Sequence, residues 1–298
     1  PPPPPPPLFF PPSPAPPDPL WSRGLGDVYK RQTLSNNNYK AVTTNGLSLG
    51  IILDFEEKQP RFFDTTPALA KPLYSQEFKG SVEQGGPCNV ESITAIFHTS
   101  GTHTECIGHI SRDRISLADL IENNLITSTL ITIAPDTIGE DSYHVPTRKK
   151  ELFITLKTLK KALAKINKDF VQGLIIRTKP NDESKISRDY DKHPFPYFSN
   201  EAMTFIRDLD VHHLLVDMPS VDRADDGGHL GNHRIFWDVK LGETIIDPKS
   251  CSRRTITEMI FAPNSIPDGS YLLNLQLPAF ASDACPSRPI IYPIEEID

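Results

Sequence analysis

Apolar positions in this chain recur with two periods, and the switches between them outline a mixed fold. LSLGIILDF at 47–55 has the alternation of a first strand, so the folded domain is expected to begin near Tyr39. NVESITAIF at 89–97 alternates after a Gly-Gly-Pro turn and is predicted to be a strand that delivers the chain into His98. LITSTLITIAP at 125–135 and GLIIRT at 173–178 read as buried strands, and HHLLVDMPSVD at 212–222 as a strand ending in a polar loop. The helical period shows between them. Leu152, Leu156, Leu159, Leu163 and Ile166 share one face, SLADLIEN predicts a short helix opened by Ser116, and Ser199 or Asn200 opens another with Glu201 in its first turn. QPRFFDTTPALAKPL at 59–73 is punctuated by proline and reads as a covering loop. TITEMIFAP, the turn PDGS, YLLNLQLP and PIIYPI form a β-rich tail. Strands interleaved with helices, then hairpins, predict an α/β fold with a mixed sheet and flanking helices.

Composition trims that outline at one end. Thirteen of the first twenty residues are proline, which favours an extended polyproline II segment without a packed face. WSRGLGDVYKRQ at 21–32 looks like translated adapter or upstream non-coding sequence. Residues 1–38 are therefore set aside as a disordered leader, leaving a single domain over 39–298. A net charge of -7 with no polybasic stripe argues against a nucleic-acid partner. Four dispersed cysteines with no Cys-x-x-Cys pair indicate neither a zinc ribbon nor a disulfide scaffold, so a reducing, cytoplasmic setting is expected. No apolar run has the length of a membrane span.

The chemistry concentrates in HTSGTHTECIGH at 98–109. Imidazoles and a carboxylate at this density suit Zn²⁺, Mn²⁺ or Fe²⁺, and a further histidine beside an ion can move protons near neutral pH. In a strand, His103 and Glu105 share a face. His98 breaks that parity: either a bulge or turn at Ser100-Gly101 restores it, or Thr99 occupies its place.

The segment resembles the signature H-x-G-T-H-x-D-x-P-x-H of the cyclase family of metal-dependent hydrolases, which includes bacterial kynurenine formamidases. Gly101-Thr102-His103 matches its core, Glu105 stands for the aspartate, and His109 for the last histidine, while one extra residue separates His98 from His103. LLVDMPSVD at 214–222, GNHRIFW with His233, TITEMI with Glu258, and the 271–292 hairpin with Asp283, Pro286 and Arg288 extend the resemblance over roughly 47–294. It implies a swivelling β/β/α-type fold. It also implies His98, His103 and Glu105 on a first ion, Glu105, His233 and Glu258 completing a second, and Glu258 bridging both ions. One or two Zn²⁺ or Mn²⁺ ions are expected, and His109 as acid/base. The reaction implied is attack by metal-bound hydroxide on a C–N amide bond of a small molecule, in a homodimer or homotetramer. A lyase or cyclase on the same scaffold, or a non-catalytic binding protein, is the alternative.

Other groups are expected to be supporting. Asp217, Asp222 and Asp283 are candidates to orient metal-bound imidazoles. The Leu-Gly-Asn between His229 and His233 argues against a helical ligand pair, His212 and His213 read as structural, and Asp222, Asp225 and Asp226 as a solvated turn. Cys106 reads as a small buried thiol, and neither Ser220 nor Cys285 has a nucleophile's local context. Residues 60–63 fall where an aromatic substrate wall is expected.

Overall fold

The computed structural model describes residues 29–34, 37–122 and 125–297. Its centre is four adjacent parallel strands, Ile126–Ile133, Gly173–Thr178, His213–Val216 and Thr255–Glu258. Alternate residues of these strands go to opposite cores, as the pleat requires. Leu174, Ile176, Leu214 and Val216 join a cluster with the helix residues Leu159, Ala202, Met203, Ile206 and Phe236. Ile175 and Leu215 instead pack with Leu49, Ile260, Tyr271, Leu273 and Ile291. Helices thus cover one face and the C-terminal segment covers the other.

The sheet extends on both sides by antiparallel pairing. On one side lie Gly269–Gln276, Arg288–Ile297, Asn37–Val42 and Tyr29–Leu34, with Leu47–Ser48 also paired to Arg288–Ile297. On the other, His103–Cys106 lies between Thr255–Glu258 and the short Ala284–Pro286. The mixed α/β expectation holds, and the strand 173–178 falls where its apolar run places it. The helix Asn200–Asp208 begins at Ser199, whose hydroxyl accepts the Ala202 N–H.

Several local expectations shift. The proline-rich segment lies outside the described residues, and the sheet begins at Tyr29, ahead of the expected domain start at 39. Of 47–55 only Leu47–Ser48 pairs as a strand, and Ile52 is 87% exposed. The 89–97 segment gives only Glu91–Thr94, all exposed, in a ribbon with Leu69–Pro72 from the expected loop. The helix spaced from Leu152 to Ile166 is confined to Leu156–Leu163. Thr155 and Thr158 close a capping box at its start, and Phe153–Ile154 turns aside to pair in parallel with Tyr197–Phe198. Gly231–Trp237 is helical despite its Leu-Gly-Asn approach. Its first N–H groups, at Asn232 and His233, donate to the Asp222 carboxylate, a cap supplied from a preceding loop. Among the described residues, no helix is long and apolar enough to cross a membrane.

Candidate metal centre

His103 and Glu105 lie side by side on the strand His103–Cys106, and antiparallel register sets Glu258 directly opposite His103. Thr102 locks this register: its hydroxyl donates to the Met259 carbonyl at 2.6 Å and accepts the Ile51 N–H at 2.9 Å. All three charged or imidazole side chains are buried. The extra residue ahead of His103 is absorbed by a 3₁₀ turn, Phe97–Thr99, followed by Gly101 at φ +76°, a conformation in which glycine is at ease. That turn brings His98 into the cluster, with Nε2 3.7 Å from Glu105 and 2.9 Å from Asp283. Thr99 points elsewhere, its hydroxyl 2.9 Å from that of Thr65.

His109 follows in a second 3₁₀ turn, Ile107–Ile110. Its ring stacks on His98 at 4.4 Å, Nδ1 is 3.7 Å from Asp283, and Nε2 is 4.0 Å from Glu105. His233, on the Gly231–Trp237 helix, places Nε2 3.0 Å from Glu105 and 3.7 Å from Glu258, while Nδ1 donates to Asp222 at 2.8 Å. The Val221 N–H anchors Glu258 from the same loop as Asp222.

This arrangement is electrostatically unfinished. His103 Nδ1 lies 3.0 Å from the Gly101 carbonyl, which can only accept, so Nδ1 carries a proton and Nε2 is the atom turned to the centre. His103 Nε2 faces a Glu258 oxygen at 3.5 Å. His103 Nε2, His98 Nε2 and Glu105 Oε1 are all buried, and their near neighbours are other ionisable side chains of the cluster, with Asp283 2.9 Å from His98 and His233 3.0 Å from Glu105. Imidazole nitrogens and carboxylates converging on a buried point are the donor set a cation completes. Three overlapping groups have ligand atoms mutually within 4.8 Å: His103–Glu105–Glu258, Glu105–His109–His233, and His98–His109–Asp283. His98 thus falls with His109 and Asp283, a different partition from the one the resemblance implies.

Protonation preferences show the same strain. Burial would raise Glu105, but the charges of His109, His233 and His98 outweigh it and hold the carboxyl well below its usual range. Burial and the neighbouring Glu105 charge push Glu258 up. Burial opposes charge on His233, yet Glu105 and Asp222 lift it well above an ordinary imidazole. His98 rises for a similar reason against burial, through Asp283 and Glu105, and both His109 and His98 hold Asp283 far down.

The chain matches the profile of the family described as "Putative cyclase" over residues 38–223. It belongs to that family. Among curated relatives, kynurenine formamidase of Bacillus anthracis is 25% identical over 223 residues, covering 74% of this chain and 88% of the relative. That of Bacillus thuringiensis strain Al Hakam matches to the same extent. Among solved structures, isatin hydrolase A from Labrenzia aggregata superposes with a TM-score of 0.54 at 13% identity, covering 83% of this chain and 93% of that one. A predicted metal-dependent hydrolase from Bacillus stearothermophilus gives 0.50 at 16%, covering 83% and 98%. At these identities the structures show a shared cyclase-family fold.

Within this cyclase-family site, the orienting carboxylates separate. Asp222 holds His233, and Asp283 sits against His98 and His109, whereas Asp217 turns away to the buried Lys185 ammonium at 2.7 Å and to Thr178. The acidic run is not a solvated turn: Asp222 and Asp226 are buried and only Asp225 is exposed. His213 is structural, bonded to Thr255 at 2.8 Å and kept neutral by burial, its pKa pushed down to about 4. Burial raises the thiols of Cys106 to about 12 and Cys285 to about 11, leaving neither a ready nucleophile. The Ser220 hydroxyl accepts the Asp222 N–H in a local turn. In the expected wall, Phe62 is buried against Phe195, while Phe63 is exposed. Sequence reasoning missed Tyr143 and His144. The Tyr143 hydroxyl donates to Asp222 at 3.0 Å, and His144 lies 3.7 Å from the same carboxylate, so both brace the partner of His233. Their loop carries no periodicity or motif; the nearest signal is Gly231, where a Cβ would lie 2.2 Å from the His144 ring.

Proposed function

We propose that the protein is a metal-dependent hydrolase that opens a C–N amide bond of a small molecule, with one or two Zn²⁺ or Mn²⁺ ions. The observation that carries this reading is the buried convergence of His103, Glu105 and Glu258, whose ligand atoms lie mutually within 4.8 Å. Similar proteins named kynurenine formamidase and isatin hydrolase A supply the bond type. His98, His103 and Glu105 would hold one ion, and Glu105, His233 and Glu258 a second. An ion there supplies Lewis acidity toward a carbonyl oxygen and acidifies a water.

The chain's own residues do the remainder. His103 is fixed in one tautomer by Gly101 and His233 by Asp222, so each presents Nε2 to the centre without rearrangement. Glu105 lies between His233 and His98 and can serve both halves of the site. His109, at the half-exposed edge, is placed to give a proton from Nε2 to a leaving nitrogen while Asp283 holds the Nδ1 side. A homodimer or homotetramer in the cytoplasm is the setting proposed with it.

The test measures metal content of the purified protein, prepared with added Zn²⁺ or Mn²⁺, together with turnover of formylated anilines and cyclic amides in ¹⁸O-labelled water. Stoichiometric metal with one labelled oxygen in the product is expected. Protein that takes up no transition metal would overturn the reading, and turnover without label would move it to a lyase or cyclase.

A further inference from the structure

We infer that a second cavity, outside the metal centre, binds a small organic anion with a flat apolar body, such as an aryl carboxylate. The cavity is about 620 Å³ and lies off the carboxyl ends of the parallel strands, reached by Pro135, Thr178 and Asp217. Strand ends of this kind are where open α/β sheets place ligands. None of the seven residues of the metal centre lines it. Its walls include Leu152, Tyr190, Phe195, Tyr197 and Met218.

Charge sets the ligand's sign. Eight lysines and arginines and three carboxylates line this cavity; five of the cations are ion-paired, Lys185 with Asp217, Arg223 with Glu151, Arg148 with Asp225, Arg188 with Asp182 and Lys192 with Asp189, which leaves three. Each of the three carboxylates is already engaged. Asp217 binds the buried Lys185 ammonium, Glu151 accepts the Arg148 N–H and faces Arg223, and Asp191 accepts the N–H groups of Phe63 and Asp64. Lys149, Lys150 and Lys179 are exposed at the rim and make no ion pair among the described residues. Positive potential is therefore left over in a concave site, where low-dielectric walls focus it.

A built polar group adds a second argument. Tyr197 is 3% exposed, and its hydroxyl lies between Glu151 and Arg223 without a well-aligned bond to either. A buried phenol in an aromatic wall beneath a cationic rim is complementary to a carboxylate on a planar body: the ring packs on Tyr190 and Phe195, and the anion draws the phenol proton away from Glu151 and meets the lysines.

The experiment uses the full chain and 1-naphthoate, its neutral isostere 1-naphthalenemethanol, and 1-naphthylmethylammonium, with binding followed by equilibrium dialysis. Naphthoate should bind about tenfold or more tightly than the alcohol and weaken with salt, and the cation should not bind. Reversing charge with Lys149→Glu, Lys150→Glu and Lys179→Glu together should remove that preference, and Tyr197→Phe should weaken naphthoate by about threefold or more, with metal content unchanged in both. Binding should persist in metal-depleted Glu105→Ala protein, which separates this cavity from a carboxylate caught by a metal. Equal affinity for acid and alcohol, naphthoate binding indifferent to the lysine and Tyr197 substitutions, or its loss with Glu105→Ala, would each overturn the inference.

Discussion

Two clusters of histidine and carboxylate lie back to back across Asp222, with nearly the same composition and opposite states. In the outer one, Asp226 accepts three backbone N–H groups, from Gly228, His229 and Leu230, and Asp222 accepts from Asn232, His233 and Tyr143. His144 completes it, with Nδ1 3.2 Å from Asn200 and Nε2 3.2 Å from Asp226. Burial opposes its charge, but Asp226 and Asp222 raise its pKa, so a proton there meets the demand of the acids. In the inner one, Glu258 accepts one backbone N–H, from Val221, and His103, Glu105 and Glu258 otherwise face one another. Side-chain type alone does not make a cation site. A saturated network is a scaffold, and the same residues become a receptor where the backbone supplies fewer donors.

The sharpest way to break that contrast is to cut each cluster in turn. Glu105→Ala or Glu258→Ala should abolish stoichiometric metal, measured by elemental analysis, with turnover falling by about a thousandfold or more. Metal retained in both variants would mean that the inner cluster is not the receptor. His109→Ala should keep its metal and lose about two to four orders of magnitude in turnover. Unchanged turnover would remove it from proton transfer. Asp222→Asn probes the shared wall: metal affinity by competition with a chelator should weaken about 10- to 100-fold, since His233 loses the partner that fixes its tautomer.

The outer cluster should answer in stability instead. Asp226→Asn should cost about 1–3 kcal/mol in denaturant unfolding with metal stoichiometry unchanged; a parallel loss of metal would erase the distinction. The smallest effect concerns pH. Because the folded pKa of His144 lies above the ordinary 6.5, the stability its proton contributes is complete below 6.5 and is lost as pH climbs through the higher folded value. His144→Gln should flatten that alkaline decline in the metal-loaded protein. An unaltered pH profile would show that the outer proton carries no stability.

The same contrast explains what could be read from the chain beforehand. Gly173–Thr178 and Asn200–Asp208 were legible because a buried run and a Ser199 cap are local signals. The Gly231–Trp237 helix was not, because the acceptor for its leading N–H groups is Asp222, outside the helix's own sequence. The exposed ribbon Glu91–Thr94 shows the converse: an alternating pattern without a core to receive it. In the site, the packed segment from His98 to His109 marked its own importance, and motif matching added His233 and Glu258. What spacing could not assign was which of Asp217, Asp222 and Asp283 serves which imidazole, or that Tyr143 and His144 brace Asp222. Those choices depend on loops meeting in space.

The pairing of Ala284–Pro286 along His103–Cys106 has a consequence for biosynthesis. His98 and His103 leave the ribosome early, but Asp283, which both His98 and His109 face, emerges only with that late edge strand. A nascent chain therefore exposes imidazoles and Glu105 long before their last neighbour exists. Completion of the centre reports that synthesis has run past Asp283, and polypeptides aborted upstream of it are marked by an open-sided cluster.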